Sequence, residues 1–227
     1  MRPFTGFLLV DKPADMSSFG VVARVRRQLS QRAGKKVKVG HTGTLDPFAT
    51  GLMIIVVGDY CKRAAEFSKL GKTYEVTLRL GQTSRTGDPE GELRDVSARI
   101  PSRQELEAAL VQFRGTIDQT PPAFSAIKIN GQRAYKLARA GKEVVMPIRQ
   151  VTVHHLELVN YAYPEAQIVC DVSSGFYIRS LVRDIGDTLG VGAYTTALRR
   201  TKVGEWEIAR AVDIEATDFA ERLTLLG

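Results

Sequence analysis

The sequence predicts an α+β fold built on a large, mixed and mainly antiparallel sheet flanked by helices. Three observations predict it. Residues 73–80 alternate strictly, with Tyr74, Val76, Leu78 and Leu80 on one side and Glu75, Thr77 and Arg79 on the other, which marks a half-buried strand. Further strand-like runs recur along the whole chain. A few segments between them carry helical period and helix caps, the clearest being the capping box Ser102-x-x-Glu105. Many strands with few helices make a sheet with helices packed on it.

Taken in order, Phe7–Val10 reads as a first strand, and Asp11-Lys12-Pro13 turns the chain. Ser18 is placed to cap a helix whose buried stripe is Val21, Val22, Val25 and Leu29. Arg24, Arg27 and Arg32 lie off that stripe, and Lys35, Lys36 and Lys38 follow. This basic stretch precedes a glycine-rich loop and points toward contact with phosphate. The apolar run Leu52–Val57 reads as a buried strand. Cys61–Leu70 reads as a short helix stopped by Gly71.

Residues 81–101 are polar and read as a long surface loop. The capped helix behind them carries Leu106, Ala109, Leu110 and Phe113. Pro121–Lys128 starts stiff and becomes a strand, and Asn130-Gly131 is a tight-turn signal. Arg133–Ala140 reads as a helix ended by Gly141. Strands are expected at 144–148, 151–161, 166–172 and near 203–208, with a helix over 177–189 that buries Leu181, Ile185 and Leu189. The sequence marks no domain boundary, so residues 1–227 read as one domain.

Bulk properties narrow the function. Net charge is +7 (32 basic against 25 acidic residues), and the pI is about 9.5. That balance suggests an anionic partner, nucleic acid first. Two cysteines far apart, Cys61 and Cys170, give no disulfide framework and fit a reducing compartment. The histidines are only three, His41, His154 and His155, which argues against a zinc site and against a zinc-dependent base deaminase. No segment reaches the ~20 apolar residues of a membrane span, and Asp11-Lys12 ends the first apolar run too early for a signal peptide. A cytoplasmic protein is expected.

The stretch Gly40-His41-Thr42-Gly43-Thr44-Leu45-Asp46-Pro47-Phe48-Ala49-Thr50-Gly51 is the most informative. Pro47 pushes Asp46 toward extended backbone, and Gly43 and Gly51 permit close approach of another molecule. Read locally, Asp46 either caps a turn or serves as a catalytic acid on a loop leading into a rigid strand.

The whole string resembles the catalytic loop of the TruB family of pseudouridine synthases, which act on the T-loop uridine (position 55) of tRNA. The resemblance extends from about Phe7 to about Ile214. It includes Asp11-Lys12-Pro13 through Met16-Ser17-Ser18, with Asp15 where glycine is usual. It also includes Gln119-Thr120-Pro121-Pro122 through Ser125-Ala126-Ile127-Lys128, and Gly175-x-Tyr177-Ile178-Arg179. In the last segment Val172, Ser174 and Phe176 replace the commoner Cys, Lys and Thr.

The resemblance implies the pseudouridine synthase fold with its cleft across the sheet. It implies isomerisation of uridine without cofactor or metal, by base flipping and cleavage and re-formation of the glycosidic bond. Asp46 is then the catalytic carboxylate, Tyr74 the ring stacked on the base, and Arg179 the partner of Asp46. His41, Tyr177, Leu198, Arg199 and Arg200 are the substrate-binding residues, with Leu198 flooring the base pocket and the two arginines on phosphate. The implied partner is the T-arm of tRNA, with no obligate protein partner, no membrane, and a monomeric state. Bacterial members usually continue into a C-terminal PUA module, so the expectation is a short form without one. The alternative reading is a non-catalytic tRNA-binding or folding module; a guide-RNA-dependent synthase would be larger.

Overall fold

The computed structural model describes residues 4–226. In chain order it starts with β1 (Gly6–Lys12), α1 (Ser18–Ala33), β2 (Val39–His41) and β3 (Thr50–Val57). A 3-10 turn (Gly58–Arg63), α2 (Ala64–Ser68) and β4 (Lys72–Leu80) follow. Next come β5 (Gln82–Ser84), β6 (Leu93–Asp95), α3 (Arg103–Val111) and β7 (Gly115–Gln119). The chain continues through β8 (Lys128–Ile129), β9 (Gln132–Arg133), α4 (Ala134–Arg139), β10 (Arg149–Ala162) and β11 (Glu165–Val172). It ends with α5 (Ile178–Thr188), β12 (Ala193–Val203), β13 (Trp206–Glu207), a 3-10 turn (Ile208–Arg210) and β14 (Val212–Asp213).

Two compact units divide the chain. The first holds the described residues up to Tyr74 and those from Leu198 onward; the second is Glu75–Ala197. In the first, β1 pairs antiparallel with β3 (Leu9 opposite Ile54) and parallel with β14 (Val10 opposite Val212). β3 pairs parallel with β12 (Arg199 opposite Thr50) and antiparallel with β2. Every residue of β3 from Gly51 to Val57 is buried, which is why the stretch 52–57 carries no polar alternation. Phe7 anchors this core: its ring centroid lies 5.0 Å from that of Trp206 and 5.2 Å from that of Phe67. Such aromatic clusters add directional contact to the burial of apolar area.

α1 starts one residue earlier than expected. The cap is Ser17, whose Oγ accepts from Gly20 N at 3.0 Å. Gly34, at φ 64°, closes the helix. The buried stripe is the expected one, Val21, Val22, Val25 and Leu29. The opposite end of the chain packs back on this helix. Arg24 pairs with Glu215, Arg32 pairs with Glu221, Gln28 bonds Ala216 O and Phe219 N, and Phe219 is fully buried. Two of the helix's arginines therefore hold the C-terminal segment instead of facing a ligand.

In the second unit β10 pairs antiparallel with β11 and with β7. The capping box forms as expected: Ser102 Oγ accepts from Glu105 N, and Glu105 Oε2 accepts from Ser102 N at 2.7 Å. The Asn130-Gly131 turn joins β8 to β9, with both residues at positive φ. This is the geometry those two residues favour.

Three expectations need correcting, and one strand was not foreseen. Residues 81–101 are not one loop but enclose the β5–β6 hairpin, tied by Ser84, Thr86 and Asp88 side chains. Residues 144–148 form no strand. The expected helix over 61–70 is a 3-10 turn running into the five-residue α2. The long strand β12, over 193–203, has no apolar signature because Thr195, Thr196, Arg199, Arg200 and Lys202 interrupt its pattern.

Candidate active site

In the first unit, residues 42–49 link β2 to β3 and carry Asp46. Three buried groups fix this loop. Ser18, at the start of α1, both accepts from Leu45 N and donates to Leu45 O, each at 2.8 Å. Lys12 ends β1 with its side chain fully buried, and Nζ donates to Pro13 O, Met16 O and Pro47 O at 2.7–3.0 Å. Arg200, on β12 and 2% exposed, donates from Nε to Leu52 O at 2.7 Å and from Nη2 to Gly43 O at 3.2 Å. Backbone carbonyls on both sides of Asp46 are thus held by cationic side chains. Such charge-assisted bonds are roughly twice as strong as neutral ones. Ala49 N closes a turn onto Asp46 O at 3.1 Å.

Gly51 is required by this packing. Its φ is 108°, and a Cβ there would lie 2.3 Å from Arg200 O and 2.7 Å from Arg200 N. Only glycine admits that backbone approach.

The electrostatics follow from the burial. The Lys12 ammonium is lowered to about 8, chiefly by desolvation, with the charges of Asp15 and Asp46 opposing the fall and Arg200 adding to it. Lys12 therefore feels the charge on Asp46 and fixes the position of the loop that bears it. Lys12→Met is expected to leave three carbonyls without their donor and to destabilise the protein by about 2–3 kcal/mol. Turnover should fall with it. A denaturation curve beside an activity assay checks both; unchanged stability would show that the lysine holds nothing.

His41 ends β2, opposite Ile55. Its Nδ1 is buried with no hydrogen-bond partner among the described residues. Burial, and then the nearby Arg200 charge, lower its pKa below the ordinary 6.5. The imidazole is neutral at pH 7. The unfolded chain takes up this proton at higher pH than the folded one, so stability must fall as pH drops below 6.5. His41→Gln should flatten that acid-side slope in a pH series of melting temperatures, and an unchanged slope would remove His41 as its source.

Tyr74 and Leu198 are both buried, at 8% and 7% exposure. They lie on β4 and β12, which approach one another within this unit: Thr201 Oγ1 donates to Thr73 O at 3.5 Å. Arg199 is half-exposed and pairs with Asp11 at 2.7 Å. Its neighbour requires a correction. Arg200 was expected on phosphate, but its burial and its bonds to Leu52 O and Gly43 O place it beneath the loop.

Tyr177 and Arg179 belong to the second unit. Tyr177 is the residue preceding α5, and the buried Gln119 amide grips its backbone. Tyr177 N donates to Gln119 Oε1 at 2.8 Å, and Gln119 Nε2 donates to Tyr177 O at 3.0 Å. Arg179, in the first turn of α5, is buried. It donates to Thr86 O at 2.7 Å and Phe124 O at 2.9 Å and lies 3.3 Å from the buried Asp88 carboxylate. Asp88 in turn accepts from Glu90 N and from Thr86 Oγ1.

The first unit thus brings His41, Asp46 and Arg200 into one loop scaffold and carries Tyr74, Leu198 and Arg199 on its strands. Tyr177 and Arg179 share one helix start in the second. Sequence reasoning missed the roles of Lys12, Gln119 and Asp88. The available signals were a lysine and an aspartate each followed by proline and a glutamine before Thr120-Pro121-Pro122. None of these distinguishes a buried polar group from a turn. Among the described residues no three His, Cys, Asp or Glu side chains are grouped to hold a metal ion.

Chemically, this is a carboxylate on a pinned, glycine-bounded loop, with a neutral imidazole on the strand that leads into the loop and buried aromatic and aliphatic side chains on adjacent strands. Comparison with known proteins identifies the family. The family model for the N-terminal domain of TruB family pseudouridylate synthases matches residues 26–178. The model for the C-terminal domain of tRNA pseudouridylate synthase B matches residues 179–222. The chain is 44% identical over 220 residues to tRNA pseudouridine synthase B of Azoarcus sp. (strain BH72), covering 96% of this chain and 71% of that protein. It is 43% identical over 225 residues to the protein of the same name from Mycobacterium tuberculosis (strain ATCC 25618 / H37Rv), covering 97% and 73%. Among solved structures, a chain of a Cbf5-Nop10-Gar1 complex superposes with a TM-score of 0.72 at 25% identity, over 96% of this chain and 54% of that one. Two family models that together span residues 26–222 and relatives at 43–44% identity over nearly the whole chain establish it: the chain belongs to the TruB family of pseudouridylate synthases.

Proposed function

We propose that this chain converts the T-loop uridine of tRNA, position 55, to pseudouridine, with Asp46 as the catalytic carboxylate. The observation that carries this reading is the loop of Asp46, held on both sides of the acid by Ser18, Lys12 and Arg200. A reaction that swaps the bond to one sugar carbon needs a single acid fixed in place. The relatives named tRNA pseudouridine synthase B support tRNA as the substrate.

The target base leaves its stack, at a cost of a few kcal/mol, and lies against the Tyr74 ring above Leu198. Stacking on an aromatic face returns roughly 1–3 kcal/mol. The N1–C1′ bond then breaks, the base turns, and C5 bonds to C1′. C5 loses its proton and N1 gains one, so the reaction is an isomerisation. Asp46 acts at the sugar, and Arg179 favours its charged form. Neutral His41, Tyr177 and the half-exposed Arg199 contact the RNA, while Arg200 acts through the loop it supports. The 227 residues work as one catalytic domain, as a monomer, in the cytoplasm, without a guide RNA or obligate protein partner.

The test is product mapping. The protein alone is incubated with an unmodified tRNA transcript, and pseudouridines are located by carbodiimide modification and primer extension. A single new stop at the T-loop uridine is expected. A stop elsewhere, or one that needs added RNA or protein, would refute the assignment.

A further inference from the structure

α1 carries four arginines, and they divide into two sets. Arg24 and Arg32 pair with Glu215 and Glu221. Arg26 and Arg27 have no acidic side chain at salt-bridge distance among the described residues, and neither have Lys35 and Lys36 beyond the helix end. On the same side of the helix, two turns before Arg26, stands Phe19, 64% exposed. The Arg26 guanidinium lies over its ring, 5.5 Å from the centroid. A lone exposed phenylalanine is ordinary. One backed by a guanidinium that has no acidic partner, on a helix that carries further such cations toward its other end, fits a flat, anionic ligand better than an apolar one. Its place in the fold adds to this. Phe19 follows Ser18, whose hydroxyl clamps Leu45, and Asp46 follows Leu45.

We propose that Phe19 and Arg26 form a stacking platform for one unpaired base of the substrate RNA, other than the reacting uridine, while Arg27 meets an adjoining phosphate and Lys35 and Lys36, about 24 Å from Phe19 along the helix axis, meet phosphates farther along the strand. This rests on the reading of the chain as an RNA-modifying isomerase. Unstacked bases are held by aromatic rings and guanidinium planes, and cations without an acidic partner are the groups free to neutralise phosphate. The platform would lend affinity beyond what the reacting base supplies. It would also favour RNA that presents a second unpaired base near the target.

The experiment uses the full chain and an unmodified tRNA transcript, with Kd from filter binding and turnover from product formation. Phe19→Ala should raise Kd and KM together by about tenfold, and Phe19→Trp should restore both. Arg27→Ala should lower the slope of log Kd against log salt by about one. Wild-type Kd in Phe19→Ala would overturn the platform and leave that face to a protein partner. Lost turnover with Kd kept would overturn it too, because Phe19 would then act on the loop and not on the RNA. A wild type that isomerises no tRNA, with Phe19→Ala still weakening binding, would refute the enzymatic reading and keep the platform.

Discussion

Asp46→Asn is expected to abolish pseudouridine formation while leaving tRNA binding nearly intact. The exchange keeps size and shape and removes only the anionic oxygen. The backbone on both sides of it keeps its own ties: Ser18 on Leu45, Lys12 on Pro47 O and Arg200 on Gly43 O. Turnover should fall by about 10⁴-fold or more, the scale on which a group that makes or guides a covalent step is lost. Lys12 adds a second reading of the same change. Asp46 is among the charges that raise the Lys12 pKa, so Asp46→Asn should lower it further. A fall in both binding and turnover would mean that the carboxylate shapes the loop.

Arg179→Met is expected to have the largest effect on stability. The substitution removes the counter-charge from Asp88, which is 5% exposed, and removes donors from Thr86 O and Phe124 O. Breaking a buried pair from one side costs about 3–5 kcal/mol, because the remaining charge stays buried. Activity should vanish as well, and the two losses can be separated. Adding Asp88→Leu removes the orphaned carboxylate and should recover part of the stability. If Arg179 also sets the charge of Asp46, the double variant remains inactive at a temperature where it is fully folded. Recovery of turnover along with stability would reduce Arg179 to a tie within its own unit.

Much of this molecule was legible because local chemistry and tertiary structure agree. The alternation of 73–80 became β4, the apolar run at 52–57 became β3, and the capping box at Ser102 formed as written. At Asp46 proline and glycines made the turn legible, and Ala49 N does close it onto Asp46 O, while the catalytic reading came from the family resemblance and not from the local residues. What stayed hidden depends on distant partners. β12 is unreadable because its arginine at 200 is buried only by virtue of carbonyls on β3 and on the loop. The β5–β6 hairpin is polar because its turn is held by side-chain bonds among Ser84, Thr86 and Asp88. Ser18 looks like a helix cap, and the neighbouring Ser17 takes that role, leaving Ser18 to hold Leu45. Lys12 reads as a turn lysine, and its three carbonyl partners come together only in the fold.

The most direct test of Asp46 as the catalytic group is tritium release from an unmodified tRNA transcript labelled at C5 of uridine, with wild type beside Asp46→Asn. C5 must lose its hydrogen when it bonds to C1′, so release reports the isomerisation itself. Release by wild type, none by Asp46→Asn, and equal Kd for both is the expected result. Release that survives in Asp46→Asn, or silence from folded wild type that binds tRNA, would contradict it.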